Sequence, residues 1–209
     1  MVNKWVFDKN VAKNFDYIAD TSIPKYRVII HKTINILRNL SRDSKIIDVG
    51  CATGNTLDVL KKQGFTNIWG VDNSRAMLQE TMDKGHQTHY SSDFPVQLSP
   101  FDVVIANWTL HFIKPHDRYN YIESIYNSLN NHGIFILSEK VSGDQTEYLD
   151  FKRSNFLSEE EIKEKSEALK DVLITRPKEW YLNILTDLGF RIIKIIDETY
   201  CFATFLLVK

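Results

Sequence analysis

"SKIIDVGCATGN", residues Ser44–Asn55, decides how the chain folds. A short apolar run reaches Asp48 and Val49, then breaks at Gly50 into a loop of small residues. A run this short, closed by glycine, reads as a buried strand. The segment 53–64, "TGNTLDVLKKQG", reads as a helix stopped by Gly64. Gly50 and Gly54 therefore bracket a tight strand-to-helix turn, where small residues let the backbone approach a ligand closely. A dinucleotide loop would read G-x-G-x-x-G. This one reads Gly50-Cys51-Ala52-Thr53-Gly54, one residue shorter, with alanine in the middle. Taken alone, it is equally what any tight strand-to-helix turn would need.

Downstream the same alternation repeats. "NIWGVD" (67–72) reads as a strand and "SRAMLQETMDKG" (74–85) as a helix. "QTHYSSD" (87–93) is a weaker strand, followed by the loop 94–100. "FDVVIAN" (101–107) is a strong strand, 115–133 a helix and "IFILSEK" (134–140) a strand. Strands and helices alternating at this spacing imply right-handed crossovers and a parallel sheet covered on both faces. Near the C-terminus a helix is expected over 177–189. "FRIIKIIDETYCFATFLLVK" (190–209) then holds two strands with a connection so short that they must be antiparallel. Ahead of the alternation, 7–20 reads as one helix carrying Val11, Phe15 and Ile18, and a second runs from Pro24 to about Leu40. The expected architecture is α/β: a doubly wound, mostly parallel seven-stranded sheet with an antiparallel C-terminal hairpin. It forms a single domain over 1–209, with a helical cap at 1–42 and a helical insertion over the cleft at 141–176.

The chain has 209 residues, 43% apolar and 12% aromatic, enough for one globular core. Its formal net charge of -1 supplies no field for gripping a polyanion, and no basic track is present, so direct nucleic-acid binding is not expected. Cys51 and Cys201 are distant and neither sits in a CxxC, which argues against a disulfide framework or a metal site. Charges interrupt the N-terminus, and no apolar run nears the roughly 20 residues of a membrane span, so a cytoplasmic protein is expected. A homodimer is left open.

In a doubly wound sheet, ligands bind at the carboxyl ends of the strands. Asp72, about 20 residues beyond the loop, can accept hydrogen bonds from two ribose hydroxyls. Asp93 can take an adenine amine while the ring of Phe94 lies against the base, and Asn107 ends the fourth strand beside the same cleft. Successive strand ends thus offer what an adenosine ligand needs.

These residues resemble the class I S-adenosylmethionine-dependent methyltransferases, with "DVGCATGN" similar to their first motif and "GVDNS" to their second. The terminal antiparallel pair is also theirs. The resemblance implies S-adenosyl-L-methionine as cofactor. "WVFD", "SIPKY", "NWTLHFIKP", "LSEK", "DFKRSN" and "CFATFLLVK" further resemble the carboxy-S-adenosylmethionine synthases of wobble-uridine tRNA modification, over nearly the whole chain. Carried over from that family, the cofactor positions are Tyr26, Gly50, Cys51, Ala52, Asp72, Asn73, Asp93, Phe94 and Asn107.

One position departs. The arginine with which that family holds the added carboxylate aligns with Ser166. Ile162, Ser166, Leu169 and Leu173 share one helical face, which predicts Ser166 inward and Lys165 a quarter-turn aside. A serine cannot form the bidentate pair an arginine gives a carboxylate. Arg176, Lys152 and Arg153 are the cations that could reach in instead. Glu159–Lys163 and Glu161–Lys165 read as i,i+4 pairs on a solvated face.

His111 and Trp108 are the catalytic candidates, His111 as a base where the acceptor must lose a proton. Tyr17, Trp180 and Tyr181, with Ser166, are candidates for the substrate pocket, against the plainer reading of aromatic core filling. Glu139 and Lys140 read as an ordinary ion pair. The absent arginine ranks methyl transfer to a small-molecule acceptor first. The alternative, implied by the resemblance, is a carboxy-S-adenosylmethionine synthase with prephenate as carboxyl donor, or a related enzyme that acts on S-adenosylmethionine itself by carboxylation, cyclisation or cleavage. A non-catalytic binding module is disfavoured by the complete set of cofactor positions.

Overall fold

The computed structural model describes residues 3–209. Its strands are β1 (Ile46–Val49), β2 (Ile68–Asp72), β3 (Gln87–Tyr90), β4 (Phe101–Asn107), β5 (Leu129–Lys140), β6 (Ile192–Thr199) and β7 (Phe202–Val208). They form one sheet in the order β3-β2-β1-β4-β5-β7-β6. The pairs among β1 to β5 are parallel, whereas β7 runs antiparallel to both β5 and β6. The last strand is therefore inserted between β5 and β6, and composition explains why. "FATFLLV" is mostly buried, as an interior strand must be; β6 mixes apolar and charged residues, none of them fully buried, and lies at the edge.

The helices are α1 (Lys9–Lys13), α2 (Phe15–Ser22), α3 (Tyr26–Ile36), α4 (Asn55–Lys62), α5 (Arg75–Asp83), α6 (Pro115–Ser128), α7 (Thr146–Ser154), α8 (Glu159–Leu169) and α9 (Lys178–Asp187). Side-chain alternation splits the core in two. Ile47, Val49, Val104, Ala106, Phe135 and Leu137 face one side, against α6 and α9; Ile46, Val103, Ile105 and Ile136 face the other, against α3 and α4.

Two helix boundaries here differ from expectation. The helix expected over 7–20 breaks at Asn14, whose side-chain amide donates to the Asn10 carbonyl at 2.9 Å and diverts the backbone. α6 stops at Ser128 because Leu129 is extended and pairs with Phe101. The charged segment after Lys140 folds into α7 and α8, the latter opened by a capping box between Ser158 and Glu161. No helix of the described residues is long and apolar enough to cross a membrane.

Candidate active site

The cleft opens at the carboxyl ends of β1, β2, β4 and β5. Its floor is the loop after β1, in which Gly50 (φ +68), Ala52 (φ +47) and Gly54 (φ +81) take left-handed conformations. Ala52 there costs on the order of 1 kcal/mol, a strain of the kind retained at ligand sites. A side chain on Gly50 would meet Thr109 Oγ1 at 2.3 Å, so glycine is required by space as well as by φ. The loop is tied to the neighbouring strand end: Asp72 accepts from Ala52 N at 3.0 Å through one oxygen and from Ser74 N at 2.8 Å through the other. Burial pushes the Asp72 carboxyl above the ordinary aspartate range.

Tyr26, Gly50, Cys51, Ala52, Asp72, Asn73, Asn107, Trp108 and His111 all line this cleft. Tyr26 is buried against Trp108, with ring centroids 5.0 Å apart, and its hydroxyl accepts from Asn55 Nδ2 at 3.1 Å. Burial pushes the Cys51 thiol up, so it serves as a small apolar wall. Asn107 supplies the sharpest sign of a ligand. Its Oδ1 accepts from Ser138 Oγ at 2.8 Å, while Nδ2 is buried with no partner among the described residues. A buried donor left unpaired is costly, and a ligand acceptor would satisfy it. Small backbone floor, acid at the second strand end and orphan amide at the fourth fit an adenosyl sulfonium with an amino-acid tail.

Asp93 and Phe94 depart from expectation. Asp93 is exposed, and Phe94 packs edge-on against Phe101 and Tyr121, both at 5.9 Å, as part of the core. β3 ends at Tyr90, so Ser91 and Ser92 reach the cleft wall instead. Tyr17, 62% exposed, lies outside the cleft. Trp180 packs against Tyr181, and Tyr181 is fully buried.

Tyr181 belongs to a network the sequence did not disclose. Glu139, fully buried, accepts from Leu110 N at 2.8 Å and Tyr181 O–H at 3.0 Å, with His111 Nδ1 3.1 Å away. Arg118, also fully buried, donates to the Tyr181 hydroxyl at 3.1 Å and to the carbonyls of Ile113 and Ile174. Expected as an ion pair, Glu139 and Lys140 instead point to opposite faces of β5, as strand alternation dictates.

The inward face of α8 is also corrected. Lys165 lines the cleft, while Ser166 is exposed and does not. Residues three and four positions after Ile162 are equally placed for a helix read alone; packing chooses between them. Trp5 N donates to the Ala168 carbonyl at 2.8 Å and its ring lies 5.3 Å from Lys165 Nζ, so the N-terminal segment turns α8 to bring Lys165 inward. Neither expected i,i+4 pair forms: Glu159 binds Arg153, and Glu161 caps the helix. Of the other cations, Lys152 reaches the cleft, Arg153 is held outside by Asp150 and Glu159, and Arg176 does not line it. Trp5, Phe7 and Phe112 add an aromatic roof to the cleft; they lie within "WVFD" and "NWTLHFIKP", whose resemblance assigned these three aromatics no role.

Comparison with known proteins agrees with this geometry. Residues 23–173 match the family described as "Methyltransferase domain". The carboxy-S-adenosyl-L-methionine synthase of Nautilia profundicola is 36% identical, over 97% of this chain and 94% of that one. Its counterpart in Campylobacter concisus is 33% identical, over 96% and 91%. The fold matches a SAM-dependent methyltransferase of Archaeoglobus fulgidus with a TM-score of 0.69 at 14% identity, covering 93% of this chain and 99% of that one. It also matches the plantazolicin methyltransferase BpumL, crystallised with SAH, with a TM-score of 0.73 at 14% identity, covering 97% and 91%. The chain belongs to the methyltransferase domain family, as an S-adenosylmethionine-dependent transferase with carboxy-S-adenosyl-L-methionine synthases among its relatives.

Proposed function

We propose that the chain forms carboxy-S-adenosyl-L-methionine, joining a carboxyl group from a small donor to the methyl carbon of S-adenosylmethionine. Lys165 is the observation that carries this reading. The case for methyl transfer rested on a serine facing the cleft where the relatives' resemblance implies an arginine. With Ser166 outside and Lys165 inside, the helix still presents a cation to the ligand. The similarity of the whole chain to synthases of this product supports the same reading.

When bound, S-adenosylmethionine supplies a methyl carbon made reactive by its sulfonium. The chain supplies the rest. Asp72, Asn107 and Tyr26 hold the adenosyl and amino-acid parts, and Trp5, Phe7 and Phe112 exclude water. The donor's C–COO bond breaks, releasing carbon dioxide, and its electron pair expels hydroxide from a donor such as prephenate. The methyl carbon gives up one proton to form its bond to that carbon dioxide, and proton and hydroxide leave as water. His111 holds its Nδ1–H toward Glu139, so Nε2, unpartnered among the described residues, keeps its lone pair toward the cleft and is placed to receive that proton. The donor is small because α8 and the N-terminal segment wall the cleft, and a cytoplasmic setting remains our reading of the composition.

The test is mass spectrometry of ligand released from purified protein, with incubation of S-adenosylmethionine and prephenate. Carboxy-S-adenosyl-L-methionine in either sample supports the proposal. S-adenosylmethionine alone, with no carboxylated product, overturns it in favour of methyl transfer to a small acceptor, the reading that the missing arginine favours.

A further inference from the structure

Three lysines from three separate elements meet at one end of the cleft: Lys140 at the end of β5, Lys152 on α7 and Lys165 on α8. Lys140 Nζ lies 4.2 Å and Lys152 Nζ 4.7 Å from the centre of the Tyr148 ring. Lys165 Nζ donates to Ser22 Oγ at 2.5 Å, and the Ser22 carbonyl accepts from the Tyr148 hydroxyl at 2.9 Å, so all three ammoniums are organised about one tyrosine. Lys152 is only 6% exposed. Among the described residues, no carboxylate forms an ion pair with any of the three. The contrast with Arg153 is sharp. One position from Lys152, it holds two acids.

The other titratable groups facing the cluster are Tyr148 and Cys201, and burial raises both, keeping them neutral near pH 7. Burial holds the Lys140 ammonium below its ordinary range; burial and the neighbouring cation bring Lys152, and likewise Lys165, down to about 8. Lys152 and Lys165 therefore still carry charge for most of the time at neutral pH. Cations gathered out of water without counter-charge repel one another, and folding alone gives no reason to keep them.

We propose that Lys140, Lys152 and Lys165 form an anion-binding subsite that receives the carboxylates of the second substrate, a small dicarboxylate. This rests on the carboxylation reading for the identity of that substrate, but the subsite itself rests on the cluster. Three ammoniums on flexible stems give up to nine donors, which suits two carboxylates better than one. An anion there stabilises the protonated lysines, so binding takes up protons near pH 8.

The experiment is calorimetric titration of malonate into protein loaded with S-adenosylhomocysteine, with neutral malonamide as control, in buffers of different ionisation enthalpy at pH 8. Saturable malonate binding with proton uptake is expected, and no heat from malonamide. Lys152→Gln and Lys165→Gln should each weaken malonate by about tenfold or more, with Lys165→Arg restoring it. S-adenosylmethionine affinity should stay within about twofold. Lys152→Met removes an uncompensated buried charge, so its ligand-free thermal midpoint should rise by about 2–4 °C, where a lysine serving structure would lower it. Absent malonate binding, binding indifferent to the substitutions, or a parallel loss of S-adenosylmethionine affinity overturns the subsite. In the last case the lysines hold the cofactor's own carboxylate. Lysine-dependent malonate binding without carboxylated product leaves the subsite standing and removes only the carboxylation reading.

Discussion

His111 Nδ1 and Glu139 Oε2 lie 3.1 Å apart, joining the turn after β4 to the end of β5 inside the protein. A carboxylate can only accept, so this shorter contact, against 3.4 Å from the Lys140 N–H to the same nitrogen, assigns the imidazole proton to Nδ1 and leaves Nε2 without a partner among the described residues. Removing that acceptor should slow turnover while leaving cofactor binding intact. His111→Gln is expected to lower kcat by about 10²-fold, with S-adenosylmethionine affinity unchanged by calorimetry. Unaltered kcat would make His111 a packing residue.

Tyr181→Phe probes the support of that dyad. It deletes one bond to Glu139 and leaves Arg118 without the Tyr181 hydroxyl, both in fully buried surroundings. The expected cost is about 1–3 kcal/mol of stability, read as a lower urea midpoint. A shifted pH profile of kcat would show that the altered carboxylate also reaches His111.

Gly50→Ala should be severe. The added carbon meets Thr109 Oγ1 at 2.3 Å, and that hydroxyl is held by the Val49 carbonyl at 2.8 Å, so it cannot simply move. Left-handed backbone and overpacking together should cost about 2–4 kcal/mol. The double variant Gly50→Ala/Thr109→Ala should recover only part of the packing loss, because the Thr109 Cβ that alanine keeps still lies 2.9 Å from the added carbon, as measured by thermal midpoint.

Asp72→Asn tests the strand end that we propose faces the sugar. Asparagine keeps one acceptor oxygen for Ala52 N or Ser74 N, not both. Cofactor affinity should fall by about tenfold to a hundredfold, with little change in secondary structure by circular dichroism. Affinity within twofold would remove Asp72 from the cofactor site.

Asp48 sets a stability trend with pH. Burial pushes its carboxyl up to about 8, with the charge of Asp72 adding to the rise and a bond from Thr56 opposing it. Unfolded, it titrates near 4. Between these values the folded chain holds a proton that the unfolded chain has released, so this residue's contribution falls as pH rises from about 4 to about 8 and is flat above. Lys152 and Lys165, lowered to about 8, act in the opposite sense and only at higher pH. Urea midpoints of Asp48→Asn should decline less between pH 5 and 8 than those of the parent.

The order of strands and helices and the antiparallel finish were legible because they depend on local periodicity and on how far a short connection can reach. The loop that floors the cleft was legible for the same reason: glycines at left-handed positions and an acid closing the next strand leave a trace in any single stretch. The misplacements of Asp93 and Phe94 show the limit, since a strand ending at Tyr90 hands the cleft wall to Ser91 and Ser92. Lys165 and Ser166 show it most clearly. Positions three and four after Ile162 flank the same helical face, and sequence periodicity cannot say which side packing will favour. That rotation was set by Trp5, more than 150 residues away in the chain, bonded to Ala168 and packed on Lys165. The sequence by itself determined the loop on which this cleft is built, because backbone conformation is local. Only the tertiary structure decided which charges face that cleft, because the rotation of a helix about its axis is fixed by what lies against it.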